Sequence, residues 1–359
     1  MNGDPFPGGQ SSSEIFFLSI VITAFNNEEV VGSAMKSAIQ QTWGNVEIIV
    51  IDDGSTDKTA QVIRNIDPGD RVVRYHYQEN KGIALARNQA LSLVSGTYFA
   101  FLDADDLLAP DFAETLYRHH VNSSMTADLF ILDYYEEKRQ GELTPVHFDP
   151  HLLHHYERDP SDAALMIADR FASVWAKVYR TAFVTKNELR FYPSKTLEDL
   201  FFILDLLACR PVIVHAPVCA YYYLYNKGSL SRNLDLATFE NRENAVRHYL
   251  MKYLSFKETK HFISFFSNRI LMQFVLSFSM NVNKTQRKAI FYRTMPFLQE
   301  AIGLLETAAG TAHLKYRMYN KKTRLVYIFY CLIRQVYRVS RSLSYFIIRT
   351  LGVLYQYRK

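Results

Sequence analysis

Between residues 18 and 102 four short apolar runs alternate with segments of helical periodicity, and this alternation restricts the fold more than any other feature. The runs cover residues 18–23, 46–51, 71–78 and 97–102. Between the first two, Val31, Ala34, Met35, Ala38 and Ile39 repeat at the i, i+3, i+4, i+7, i+8 spacing of a helix packed on a sheet. Asn26 offers an N-cap there, with Glu29 three residues on. A second helix reaches about Ile66, and a third sets Ile83, Ala86, Ala90 and Val94 on one face. Such β-α alternation predicts a parallel sheet with right-handed crossovers, and an α/β fold. In sheets of this kind ligands bind at the carboxyl ends of the strands.

Polar clusters fall at all four ends: residues 23–26, Asp52 with Asp53, residues 80–82, and residues 103–106. Taken singly, each reads equally well as a turn or helix cap, with Asp53 and Ser55 capping a helix. Taken together they predict a site. The last cluster is the sharpest, because a run buried on both faces, Tyr98 to Leu102, gives way at once to Asp103, Asp105 and Asp106. Side chains alternate along an extended chain, so Asp103 and Asp105 project to the same side and Ala104 to the other. Two converging carboxylates repel unless a cation neutralises them, and oxygen ligands suit Mg²⁺ or Mn²⁺. No Gly-x-Gly-x-x-Gly and no Gly-x-x-x-x-Gly-Lys-Ser/Thr occurs, which argues against dinucleotide-binding and P-loop enzymes. A nucleotide can still be held where a carboxylate accepts from its base or ribose, as Asp53 and Asp103 are placed to do, and a metal at Asp105 carries the diphosphate.

The series Val21-Ile-Thr-Ala-Phe-Asn-Asn-Glu, Ile49-Val-Ile-Asp-Asp-Gly-Ser-Thr-Asp, Asn80-Lys-Gly, Ala86-Arg-Asn and Phe101-Leu-Asp-Ala-Asp-Asp resembles the nucleotide-sugar half of family 2 glycosyltransferases of the bacterial, non-processive type. The resemblance implies the GT-A fold, a Rossmann-like, mostly parallel sheet flanked by helices. It further implies an inverting transferase that uses a nucleotide-activated sugar, commonly UDP-linked, and Mg²⁺ or Mn²⁺. Donor contacts would come from Thr23, Phe25, Asn26, Glu28, Asp53, Asn80, Lys81, Gly82, Arg87, Asp103 and Ala104. Among these, Asp53 would meet the uracil and Asp103 the ribose side, while Asp105, with Asp103 beside it, would hold the metal. Arg87 reads equally as an exposed helix arginine.

Residues 15–110 thus read as the nucleotide-sugar half and residues 111–234 as the acceptor half, with strands expected at 127–133 and 211–223 and a strand-turn segment at 171–183. Thr196-Leu-Glu-Asp has the spacing of a capping box. The family resemblance instead makes Asp199 the base that deprotonates the acceptor hydroxyl, with Glu198 as fallback; a single carboxylate suffices for that task. Trp175 is either core or a sugar platform. Lys177, Lys227 and Arg232 are candidates for contacts with the acceptor or the departing diphosphate, or else ordinary charge. The absence of Gln-x-x-Arg-Trp and of long apolar spans makes the processive synthases a poor match. A sugar-phosphate nucleotidyltransferase would need a Gly-rich, Arg-containing loop where this chain has Ala24-Phe-Asn-Asn. A non-catalytic glycan- or membrane-binding scaffold would not need both acidic centres.

With 48% hydrophobic residues the chain has ample core material, and three widely spaced cysteines without a ligand pattern suit a reducing compartment. Residues 1–14 read as a disordered tail and residues 235–359 as a helical C-terminal extension. After Glu306 no acidic residue occurs, whereas residues 315–359 hold eleven Lys and Arg. Arg324, Arg334, Arg338, Arg341 and Arg349 fall within roughly 100° on a helical wheel. Residues 311–359 therefore read as a basic amphipathic segment lying on an anionic membrane surface, placing the chain in the cytoplasm against the inner face of the cell membrane. Self-association through the same segment is the competing reading, and a nucleic-acid patch the weakest. The acceptor would be a glycan or lipid-linked glycan; oligomeric state is left open.

Overall fold

The computed structural model describes residues 15–123, 125–139, 141–225, 236–256, 262, 265–266, 269–270 and 284–309. The N-terminal tail, Lys227, Arg232 and the basic segment 311–359 lie outside the described residues.

The four expected strands form as β1 (Leu18–Ala24), β2 (Val46–Asp52), β3 (Val72–Tyr77) and β4 (Tyr98–Asp103), joined by α1 (Val31–Ile39), α2 (Thr59–Arg64) and α3 (Ile83–Leu91). All three strand pairings among them are parallel: β1 with β2, β1 with β4, and β2 with β3. Each residue of β2 is buried, as is every residue of β4 up to Leu102, because helices cover both faces of a parallel sheet. α1 buries Val31, Ala34, Met35 and Ala38 as its periodicity requires. Its cap differs from expectation. The helix starts at Val31 with no side-chain capping bond, and Asn27, not Asn26, closes the preceding turn by accepting the Phe25 N–H at 2.9 Å. Asn26 itself lies in the left-handed region at φ 53°.

Beyond β4 the chain adds β5 (Leu107–Leu108), α4 (Phe112–Asn122), β6 (Leu129–Arg139), β7 (Glu142–Val146), α5 (His151–Arg158), α6 (Pro160–Arg170), β8 (Lys177–Arg180), α7 (Thr181–Lys186), α8 (Glu198–Ala208) and β9 (Ile213–Tyr223). The sheet runs β3-β2-β1-β4-β8-β6-β9-β5, with β7 paired to β6. β8 enters antiparallel between β4 and β6, so it extends the parallel sheet without a further crossover helix. The expected strand at 127–133 continues to Arg139 and folds back as the β6–β7 hairpin, which carries no alternation strong enough to announce it.

Two compact units emerge. One comprises the described parts of Met1–His154, Phe171–Pro193 and Glu198–Lys227; the other, those of His155–Arg170, Ser194–Leu197 and Gly228–Lys359. The first holds the whole sheet around an apolar core from Phe16 through Tyr221. The second includes the helices Leu236–Lys252 and Lys284–Ala309. Among the described residues no helix is long and apolar enough to cross a membrane.

Candidate active site

The carboxyl ends of the central strands are level, with Thr23 opposite Asp103 across β1 and β4, and Ala24 opposite Asp52 across β1 and β2. Asp103, last residue of β4, meets a guanidinium from α3. Arg87 is 2% exposed; its Nη2 donates to Asp103 Oδ1 at 3.2 Å, and its Nη1 donates to Glu198 Oε1 at 3.2 Å and to Asp199 Oδ1. Asp199 Oδ2 also accepts the Val174 N–H at 3.4 Å. The rings of Phe101 and Phe191 lie 5.7 and 5.5 Å from the guanidinium carbon, and Asn88 fixes Phe191 through two bonds to its backbone, 2.9 and 2.8 Å long. Arg87 is therefore not the exposed helix arginine its spacing allowed. It binds the acid at the end of β4 to the acid pair that opens α8. The capping box expected from Thr196 does not form: its hydroxyl is buried with no partner among the described residues.

The turn after β4 is locked from the far edge of the sheet. The Tyr221 hydroxyl donates to Asp106 Oδ2 at 2.6 Å and accepts the Asp103 N–H at 3.3 Å, while the Leu224 N–H donates to Asp106 Oδ1 at 2.8 Å. Asp106 and Ala104 are buried, and Asp105 is the half-buried acid of the turn. Asp103 and Asp105 offer oxygen donors only, a set that fits a hard divalent cation whose remaining positions are filled by water and phosphate.

At the end of β2, Asp53 is buried and largely engaged. Its Oδ1 accepts from Gln78 Nε2 at 2.6 Å and the Lys81 N–H at 2.9 Å, and its Oδ2 accepts the Gly82 N–H at 2.8 Å. With two acceptor sites per oxygen, one remains on Oδ2. Gly82 sits at φ 86°, a conformation glycine adopts freely, and this aims its N–H at Asp53. Gly54 keeps the two loops in contact, since a Cβ there would lie 2.6 Å from Asn80 N. Asn26 and Glu28 serve the same loop: Asn26 Oδ1 accepts the Thr56 N–H at 2.8 Å and Glu28 Oε2 the Lys58 N–H at 2.7 Å. Thr23 is half-buried, while Phe25, Asn80 and Lys81 are exposed at this rim.

Before β8, Trp175 is half-buried and stacks on Tyr221 and Tyr223 at 5.1 and 4.9 Å, edge-on to Tyr134 at 4.7 Å. Lys177 is 3% exposed, and its Nζ donates to Ser173 O at 2.7 Å. Ala176 between them and Leu197 before the acid pair both hold positive φ, 52° and 66°. Such strain persists only where surrounding packing imposes it, and it tends to gather at functional sites.

The model of the family described as Glycosyl transferase family 2 matches residues 19–195, the stretch containing the acids at the ends of β2 and β4. Residues 19–195 belong to glycosyl transferase family 2. Among curated relatives it is 29% identical over 226 residues to Glycosyltransferase GlyA of Streptococcus pneumoniae serotype 4, covering 60% of this chain and 31% of that one. It is 43% identical over 89 residues to UDP-Glc:alpha-D-GlcNAc-diphosphoundecaprenol beta-1,3-glucosyltransferase WfaP of Escherichia coli, covering 25% of this chain and 35% of that one. The match thus spans well under two thirds of either relative. Among solved structures, residues 1–349 of S. aureus TarS in complex with UDP superpose with a TM-score of 0.59 at 18% identity, covering 96% of this chain and 92% of that one. That likeness carries the fold, GT-A, with its mixed and mainly parallel sheet.

The site is over-supplied with carboxylates. Burial, with Asp199 adding repulsion, lifts Glu198 to about 8 against the pull of Arg87. Burial likewise lifts Asp103 to about 6 despite Arg87, and lifts Asp106 to about 8 despite Tyr221. Burial depresses Lys177 to about 7 although Asp199 favours its charge. Between the ordinary 4.5 and about 8 the folded chain keeps the Glu198 proton that the unfolded chain has released. Its contribution to stability is full below 4.5 and is lost as pH rises toward 8. Lys177 acts in the opposite sense only above about 7, where the unfolded chain alone holds the proton. Without divalent ions the melting temperature is therefore expected to fall from pH 5 to pH 7, and less steeply in Glu198→Gln. Parallel melting curves for the two proteins across that window would remove Glu198 as the cause.

Proposed function

We propose that this chain is an inverting, metal-dependent glycosyltransferase that moves one sugar from a nucleotide donor, UDP-linked, to a glycan or lipid-linked acceptor in surface polysaccharide synthesis. The observation that carries the reading is Arg87 joining Asp103 to Glu198 and Asp199, an arrangement that supports a general base beside the acids after β4. The UDP complex of TarS and the UDP-glucose and diphosphoundecaprenol in the name of WfaP support the donor and the lipid-linked acceptor.

Asp199 takes the proton of the acceptor hydroxyl as its oxygen attacks the anomeric carbon from the face opposite the departing diphosphate, so the configuration inverts. Arg87 and the Val174 N–H orient that carboxylate. Asp53 presents its remaining acceptor site to the uracil, Asp103 faces the ribose, and Thr23, Phe25, Asn80, Lys81, Gly82 and Ala104 shape the donor pocket. Asp105, with Asp103, would hold Mg²⁺ or Mn²⁺, which when bound supplies positive charge to the diphosphate. Trp175 borders the acceptor, and Lys177, Lys227 and Arg232 are assigned to the acceptor or the diphosphate. The basic segment 311–359 keeps the enzyme at an anionic membrane where a lipid-linked acceptor resides.

Thermal stabilisation by UDP, GDP, CDP and dTDP, each with and without Mn²⁺, tests the donor site. UDP with Mn²⁺ at 100 times its dissociation constant should add roughly 2.7 kcal/mol, and Asp105→Ala should abolish the gain. Stabilisation by a different nucleotide would change the donor class, and none under any condition would defeat the transferase reading.

A further inference from the structure

On the other face of the acceptor half the structure gathers a second set of ligand-type side chains. Asp133, in β6, is 3% exposed, and a carboxylate buried at a strand centre needs partners. Its Oδ2 meets His147 Nδ1 at 2.6 Å, while its Oδ1 is held by the Phe148 N–H at 2.9 Å and by His215 Nε2 at 2.8 Å. Cys219 is drawn in by an irregularity of β9. Register runs Leu132 with Ala216 and then jumps, so that Cys219 and not Pro217 lies opposite Asp133, before shifting again to pair Tyr135 with Tyr222. Extra residues of this kind re-aim side chains and are common beside functional sites. One carboxylate oxygen of Asp133, one ring nitrogen of His147 and the Cys219 sulfur all lie within 4.8 Å of one another.

We propose that Asp133, His147 and Cys219 bind a borderline divalent transition-metal ion, Zn²⁺ first among them. Thiolate, imidazole and carboxylate together select such an ion over Mg²⁺ and Mn²⁺. Tetrahedral bonds of about 2.0–2.3 Å set ligand atoms roughly 3.3–3.8 Å apart, so shifts of about 1 Å suffice, with the hydrogen-bonded Asp133–His147 pair opening from 2.6 Å. His215 and the Phe148 N–H fix one carboxylate oxygen and leave the other aimed at the ion, the outer support that metal-binding carboxylates require. The His147 side chain is 67% exposed, which gives the ion a way in and leaves the fourth position to water. Binding expels the Cys219 thiol proton and the proton shared by His147 and Asp133. An ion here clips the end of the β6–β7 hairpin to β9. Because Asp133 alternates with Tyr134, which packs on Trp175, this site faces away from the aromatic cluster.

The test is Co²⁺ titration of the chelator-stripped full chain, followed by its absorption spectrum. A single equivalent should bind with a thiolate-to-metal charge-transfer band in the near ultraviolet, and Zn²⁺ should displace it. The acids after β4 contain no thiol and give no such band, so success or failure here is independent of the donor site. Cys219→Ser should abolish the band, and His147→Ala, a change at the surface that leaves the fold intact, should weaken Co²⁺ binding at least ~10-fold. Absence of the band, its survival in Cys219→Ser, or unchanged affinity in His147→Ala would overturn the assignment.

Discussion

Asp199→Asn is expected to lower the turnover number for sugar transfer roughly 10²–10⁴-fold, the range contributed by a positioned general base, while leaving nucleotide binding close to that of the wild type. The amide has the shape of the carboxylate, and its single oxygen can still accept from Arg87, while the 3.4 Å bond from the Val174 N–H to the second carboxylate oxygen is given up. What it lacks is a site that takes a proton. The neighbouring acid is the informative control. Glu198 is pushed by burial, and then by Asp199, to about 8, so in the free enzyme it carries a proton at neutral pH and is poorly suited to receive another. Glu198→Gln should accordingly retain most activity at pH 7. Steady-state kinetics with a UDP-sugar, alongside UDP binding by calorimetry, separates the two. If Glu198→Gln is the variant that loses turnover and Asp199→Asn keeps it, the base is Glu198.

Arg87→Ala is expected to produce the largest loss of stability of any single substitution at this site, about 3–5 kcal/mol at pH 8, the cost of stripping one partner from a buried ion pair. Three carboxylates lean on this one guanidinium, and none is as buried as the arginine itself: the side chains of Asp103, Glu198 and Asp199 are 26%, 12% and 24% exposed, against 2%. Removing Arg87 leaves them facing one another without a counter-charge. Lysine should restore only part of the loss, because a single ammonium cannot span acids that two guanidinium nitrogens now reach separately. The deficit should also depend on pH. Acids that repel can each take up a proton as pH falls, so denaturant unfolding should show a smaller gap between wild type and Arg87→Ala at pH 5 than at pH 8. An equal gap at both would mean that Arg87 acts through packing between Phe101 and Phe191.

Reading the sequence recovers the first four strands and the helices between them because their signals are local. A strand covered on both faces is a near-continuous apolar run, broken only where polar side chains pair as Ser19 and Glu47 do, so β1, β2 and β4 announce themselves, and the acids at the ends of β2 and β4 stand at the carboxyl edge by construction. Arg87 is different. It stands on a helix beside the buried Ala84, Ala86 and Ala90, yet an arginine is seldom fully buried unless it is paired, and no partner is near it in sequence. Its burial depends on acids 111 and 112 residues away. The clamp of Tyr221 on Asp106 spans 115 residues and passes unnoticed in a tyrosine-rich strand. Asn26 shows the converse limit, for its spacing to Glu29 matches a capping box, yet its side chain is engaged by the facing loop at Thr56.

The sequence alone determined the alternation of strands and helices, the parallel order they must adopt, and which strand ends carry carboxylates, since each of these follows from burial and period within a window of some ten residues. Tertiary structure decided which acids share a counter-charge, which are driven to hold protons, and that Cys219, remote from any ligand motif, ends beside Asp133 and His147. The physical reason is one of range. Desolvation and ion pairing depend on distance through space, and a β-sheet brings residues together by register, which a slip of one or two positions in β9 is enough to change.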